Sequence, residues 1–85
     1  MNWSVIIDPS VRKIFGRIPK DDANRIAFVL KELVVNPYAG DIEKMEGEYD
    51  VWRRRVGAYR VFYEVNQNKR IIYVFKVERR TSTTY

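Results

Sequence analysis

The hydrophobic pattern of this chain changes period near Pro37, and that change most narrows what it can fold into. Before Pro37, apolar residues recur at helical spacing. Val11, Ile14, Phe15 and Ile18 follow i, i+3, i+4, i+7, and Ala23, Ile26, Ala27, Leu30, Leu33 and Val34 line a second stripe opposite Arg25, Lys31 and Glu32. After Pro37 the apolar residues come in short runs rich in Val, Ile, Tyr and Phe, which favour extended backbone. Three strands are predicted there, over 51–56, 59–65 and 70–77, separated by a Gly57-Ala58 reversal and a polar turn at 66–69.

The boundaries follow from local chemistry. Val5, Ile6 and Ile7, after Trp3, read as a short opening strand that Asp8-Pro9-Ser10 ends. Asp8 is placed to cap a helix and Pro9 pre-sets its first turn. Pro19 is expected to stop that helix, Asp21 or Asp22 to cap the next, and Asn36-Pro37 to terminate it. Residues 38–50 read as a polar loop punctuated by Gly40 and Gly47, with a very short strand possible near 44–45. The order β-α-α-β-β-β predicts an α+β fold: an antiparallel-rich four-stranded sheet with an N-terminal helical hairpin packed on one face. Residues 1–85 are expected to form one domain.

Composition then removes whole classes of chemistry. The chain has no cysteine and no histidine, so disulfides, thiolate nucleophiles and the usual neutral-pH proton carrier are unavailable. Any catalysis falls to Lys, Arg, Tyr, Asp or Glu. No P-loop, paired carboxylates or metal-ligand cluster is evident, so neither a metal nor another cofactor is expected. The apolar runs are shorter than a membrane span requires, and no secretory signal is evident at the N-terminus. A soluble cytoplasmic protein without a membrane partner is expected.

Charge is distributed unevenly. Residues 1–50 carry seven basic and nine acidic side chains, whereas residues 51–85 carry nine basic and two acidic. A surface this lopsided favours a polyanionic partner. Side chains alternate along a strand, so Arg53 and Arg55 share one face while Trp52, Arg54 and Val56 share the other. If Trp52 and Val56 meet the helices, Arg53 and Arg55 project from the open face. Arg60, out of phase with Tyr59, Val61, Tyr63 and Val65, joins them when that second set is the buried one. Three guanidiniums on one sheet face make a phosphate site, each offering a planar fork of donors. Arg54 is expected to snorkel beside Trp52 or to meet an acidic protein partner. Trp52, Tyr59 and Tyr63 are read as packing residues rather than base-stacking ones, and Asp41, Glu43, Glu46, Glu48 and Asp50 as solvated charge.

The segment VWRRRVGAYRVFYEV, the strand RIIYVFKVERR and the closing TSTTY together resemble the RelE/ParE toxin superfamily, in its RelE-like branch. The resembling order is a basic strand, a glycine turn, Tyr-Arg opening the next strand, an arginine near the end of the last strand, and a tyrosine a few residues later. The resemblance implies a RelE-like toxin domain over residues 1–85. It also implies an active site of Arg53, Arg55, Arg60, Arg80 (Arg79 if the tail aligns one residue differently) and Tyr85. Arg53, Arg55, Arg60 and Arg79 are then the expected RNA-binding residues. RelE-like enzymes are messenger RNA interferases: they cut messenger RNA in the ribosomal decoding site, inhibit translation, and are silenced by a cognate antitoxin. DNA is then contacted only indirectly, through the antitoxin. Two other functions share the scaffold: poisoning of DNA gyrase without nuclease activity, as ParE-like toxins do, and RNA binding without catalysis. Lysines often stand where this chain has Arg53 and Arg55, which keeps the charge but changes reach and hydrogen-bond geometry.

Overall fold

The structure is a computed structural model that describes residues 3–79. Within them run β1 (Ser4–Ile7), α1 (Pro9–Phe15), α2 (Lys20–Val35), β2 (Ile42–Lys44), β3 (Val51–Val56), β4 (Tyr59–Asn66) and β5 (Ile71–Arg79). The strands form one sheet in the order β1-β5-β4-β3-β2. Three of its ladders are antiparallel, and β1 lies parallel to β5. The class is the expected α+β, but the sheet has five strands rather than four. The extra strand is the short segment near residue 44, which the ladder with β3 recruits from the polar loop.

The capping logic holds at α1 and fails at α2. Asp8 accepts from the Ser10 backbone N–H at 3.0 Å with Pro9 in the first turn. The helix ends at Phe15, before Gly16, not at Pro19, although Ile18 still packs on the core. Pro19 is itself the residue before α2, and Asp21 and Asp22 sit inside the first turn rather than at the cap. There they favour the positive end of the helix dipole. On α2 the buried positions are Ile26, Val29, Leu30 and Leu33, while Ala27 faces outward.

Both helices lie on one face of the sheet. Val11 of α1 and the buried α2 residues form a continuous core with Val56, Tyr59, Val61, Tyr63, Val65, Ile72, Val74 and Val77. Tyr63 is fully buried, and its hydroxyl donates to the Pro37 carbonyl at 2.5 Å. This removes the cost of an unpaired polar group and ties the end of α2 to the central strand. Tyr59 is likewise buried, its hydroxyl donating to Asp22 at 3.0 Å. Trp52 packs against the same core. All three aromatics are packing residues on the helix side, as expected.

The β3–β4 reversal is a two-residue turn with Gly57 at φ +58°, a left-handed conformation natural to glycine at the first turn position. It sets the register in which Arg55 pairs with Arg60 and Arg53 with Phe62.

Candidate active site

The register decides which basic residues meet. Because Tyr59, Val61, Tyr63 and Val65 are buried under the helices, Arg60, Phe62 and Glu64 point to the other face. On β3, Trp52 and Val56 face the core, which turns Arg53 and Arg55 to that same open side. Arg53, Arg55 and Arg60 line one cleft of about 240 Å³ together with Asp41, Ile42 and Glu43. Arg53 and Arg60 each keep 31% of the side chain accessible. These three of the expected site residues are therefore brought together.

Arg79 is not placed with them. It pairs across the ladder with Tyr59, whose ring is in the core, so it lies exposed at the helix-side end of β5. Its charge acts on the Tyr59 hydroxyl, consistent with that placement. Arg80 and Tyr85 lie outside the described residues.

Two carboxylates that the sequence offered no reason to single out belong to this surface. Glu43 pairs with Arg53 across the β2–β3 ladder and accepts from its Nε at 3.0 Å, with a second bond from the same guanidinium. Bonding to Arg53 and its charge, with further attraction from Arg60 and Arg55, hold the Glu43 carboxyl below its ordinary pKa. Glu78, opposite Arg60 on β5, lies 3.7 Å from the Arg60 guanidinium and 3.4 Å from Lys76 Nζ. Arg53 and Arg60, two of the three arginines of the cleft, are thus paired with the chain's own carboxylates. Both pairs are exposed to water and hence weak enough to exchange. Asp41 and Glu43 are wall residues of the cleft, not merely solvated charge. Their signal would have been the three-pair ladder of β2 with β3, which a three-residue strand does not announce.

Arg54 projects into the helix side. Its guanidinium donates to Glu32 Oε1 at 2.8 Å and to the Ala39 carbonyl at 3.1 Å. The expectation of snorkelling or of an acidic protein partner gives way to an ion pair inside the chain, with 12% of the Arg54 side chain exposed. The guanidinium lies over Gly40, so close that a β-carbon there would fall 2.3 Å from its central carbon. Asp50, likewise read as solvated, is 8% exposed. It accepts from Trp52 Nε1 at 2.8 Å and Gln67 Nε2 at 3.1 Å. Its backbone has φ +54°, a conformation that Asp adopts more readily than most side chains. Among the described residues no group of three or more His, Cys, Asp or Glu is placed to hold a metal ion. No helix among them is long and apolar enough to cross a membrane.

A chain of this strand order has counterparts among known proteins. The family model described as the ParE toxin of the type II toxin–antitoxin system, parDE, matches residues 5–83. The chain belongs to the RelE/ParE superfamily of type II toxins. Within it, the chain is similar to the RelE1 protein of Methanocaldococcus jannaschii, with 31% identity over 94% of this chain and 92% of that protein. It is also similar to a chain of the crystal structure of the archaeal RelE–RelB complex from Pyrococcus horikoshii. The TM-score there is 0.85 and the identity 31%, over 98% of this chain and 100% of that one. The isolated RelE toxin of E. coli shares the fold at a TM-score of 0.82 and 18% identity, covering 95% of this chain and 87% of that one. The RelE-like members of the superfamily are therefore good guides to this toxin's backbone.

Proposed function

We propose that this toxin is an endoribonuclease that cuts messenger RNA in the ribosomal decoding site and is neutralised by a cognate antitoxin. The observation that carries this reading is the convergence of Arg53, Arg55 and Arg60 in one cleft on the open sheet face. RNA brings its own nucleophile, the ribose 2′-hydroxyl, and its own electrophile, the adjacent phosphate. Attack forms the 2′-oxygen–phosphorus bond and breaks the bond to the 5′-oxygen, leaving a 2′,3′-cyclic phosphate and a 5′-hydroxyl. The charge that builds on the phosphorus oxygens is what fixed guanidiniums stabilise best, because they need no reorganisation as the reaction proceeds. Tyr85 is the proposed acceptor of the 2′-hydroxyl proton, a role that requires guanidiniums close enough to depress the ordinary tyrosine pKa. Arg80 is the proposed fourth cation. Arginine stays protonated, so it stabilises charge rather than donating a proton. The proton for the leaving oxygen comes from water or ribosomal RNA.

The RelE–RelB complex of P. horikoshii supports an antitoxin partner for this chain. The basic open face favours an acidic or amphipathic segment of that partner. A second reading, gyrase poisoning without RNA cleavage, is favoured by the ParE description of the family model.

Primer extension on a defined messenger RNA, with and without programmed ribosomes and with EDTA present, separates the two. Discrete cuts that require ribosomes, persist in EDTA and disappear in Arg60→Ala and Tyr85→Phe are expected. Intact RNA with folded protein, together with inhibited gyrase supercoiling, would establish the ParE-like reading instead.

A further inference from the structure

The open face carries an aromatic strip beside the arginine cleft. Phe62 is the cross-strand neighbour of Arg53, and Lys76 is the neighbour of Phe62 on β5. The β4–β5 ladder has an irregularity between Phe62 and Tyr63, where the register skips Phe75. This sets Phe75 and Lys76 together against Phe62. The Phe62 and Phe75 ring centroids are 6.3 Å apart, Phe75 and Tyr73 stack at 6.4 Å with a 29° interplanar angle, and Lys76 Nζ lies 5.1 Å from the Phe62 ring. Bulges beside functional sites commonly re-aim a side chain in this way.

The three rings differ in what they can do. Phe62 is 6% exposed and serves as the floor. Tyr73 is pinned by donating its hydroxyl to Asp8. Phe75 sits between them, half-buried, on the face that neither helix covers. Adjacent strands are roughly 4.8 Å apart, so Phe75 lies about two strand spacings from Arg53, within reach of the nucleotide next to one whose phosphate occupies the cleft. A flat aromatic surface flanked by cations and continuous with a phosphate site is the arrangement by which single-stranded nucleic acid is held.

We infer that Phe75, supported by Phe62 and Tyr73, is a stacking site for one unpaired RNA base adjacent to the phosphate bound by Arg53, Arg55 and Arg60. This rests on the reading of that cleft as an RNA site. Lys76 flanks the base and contacts the neighbouring phosphate when it leaves Glu78.

The test is equilibrium binding of the full-length toxin to a 2′-O-methyl RNA trinucleotide, which it cannot cleave by the proposed chemistry. The comparison ligands are the same trinucleotide lacking one base at each position in turn and a version carrying 2-aminopurine. Loss of the stacked base should weaken binding about tenfold at one position only, and 2-aminopurine at that position should be quenched on binding. Phe75→Leu, which retains apolar bulk, should bind the intact and abasic ligands alike, whereas Phe75→Tyr should restore the difference. Binding that is insensitive to base removal at every position, or a base preference retained by Phe75→Leu, overturns the stacking site and leaves the phosphate cleft standing. Such an insensitive strip would belong to a protein partner. No binding of any trinucleotide, with ribosome-dependent cleavage intact by primer extension, overturns the stacking site alone, and loss of both overturns the cleft as an RNA site as well.

Discussion

At the scale of single residues, the cleft is distinguished by cations held by acids of the same chain. Glu43 accepts two bonds from Arg53, so under the proposed function a phosphate entering the cleft competes with a carboxylate already in place. Glu43→Gln should tighten binding of an uncleavable RNA oligonucleotide roughly two- to fivefold, the effect of weakening one exposed ion pair. Fluorescence anisotropy would show it, and weaker binding by the variant would mean that Glu43 organises Arg53 for RNA instead of occupying it. Asp50 is different in kind, because its carboxylate is buried and joins three parts of the fold. Tyr38, Trp52 and Gln67 all donate to it, and its backbone carbonyl accepts from Val65 at 3.0 Å. Asp50→Ala leaves the Trp52 indole N–H without its acceptor and should cost about 2–3 kcal/mol. Denaturant unfolding would measure this, with ribosome-dependent cleavage by the folded fraction expected to persist.

At the scale of elements, Arg54 fastens the loop that carries β2 to the α2–β3 layer. The pair with Glu32 and the bond to Ala39 hold the loop at Gly40, and Asp41 to Glu43, the acidic wall of the cleft, follow directly. Gly40 is required here for two reasons: its φ is +86°, and the guanidinium leaves no room for a β-carbon. Gly40→Ala should therefore destabilise the protein by about 2 kcal/mol, combining left-handed strain with a displaced ion pair. Arg54→Ala should cost about 2–4 kcal/mol by leaving Glu32 and the Ala39 carbonyl without this donor, discounted because Glu32 is 42% exposed. If these effects share one contact, the double variant measured by thermal unfolding will be clearly less destabilised than the sum. Additive losses would show that Gly40 and Arg54 act separately.

At the scale of the whole molecule, protonation sets both ends of the stability profile. The Asp8 carboxyl lies below its ordinary pKa because it accepts from Ser10 and Tyr73, and Glu43 is lowered by Arg53. Groups depressed on folding contribute stability that is fully present above the ordinary carboxylate value, roughly pH 4, and lost as pH falls through the folded value. At the alkaline end, burial raises Tyr63, Tyr59 and Tyr38, and the bond to Asp8 raises Tyr73. Their contribution is present below the ordinary tyrosine value of about 10 and is lost as pH rises through their higher folded values. Thermal midpoints should form a plateau between roughly pH 5 and 9 and fall on both sides. Asp8→Asn should flatten the acid limb. Phenolate absorbance from the buried tyrosines should appear together with unfolding, and a smooth independent titration near pH 10 would contradict the packing described.

The sequence alone determined the class of fold, because two helical stripes followed by closely spaced β-rich runs leave few ways to bury one core. It also determined the phase of the central strands. Tyr59, Val61, Tyr63 and Val65 alternate so strictly that Arg60 had to face away from them, and Trp52 with Val56 did the same for Arg53 and Arg55. What only the tertiary structure decided are the pairings between distant segments. The short strand Ile42–Lys44 exists because β3 supplies its ladder partners, and Glu43 reaches the cleft only through that register. Asp50 is buried because Trp52, Tyr38 and Gln67 arrive from separate elements, and Arg54 turns inward because Glu32 waits on α2. Arg79 leaves the cleft face because the ladder irregularity at Phe62 and Tyr63 fixes the phase of the last strand. Periodicity is local and is written residue by residue, whereas the partner of a charge is fixed only when the chain folds back on itself and burial demands one.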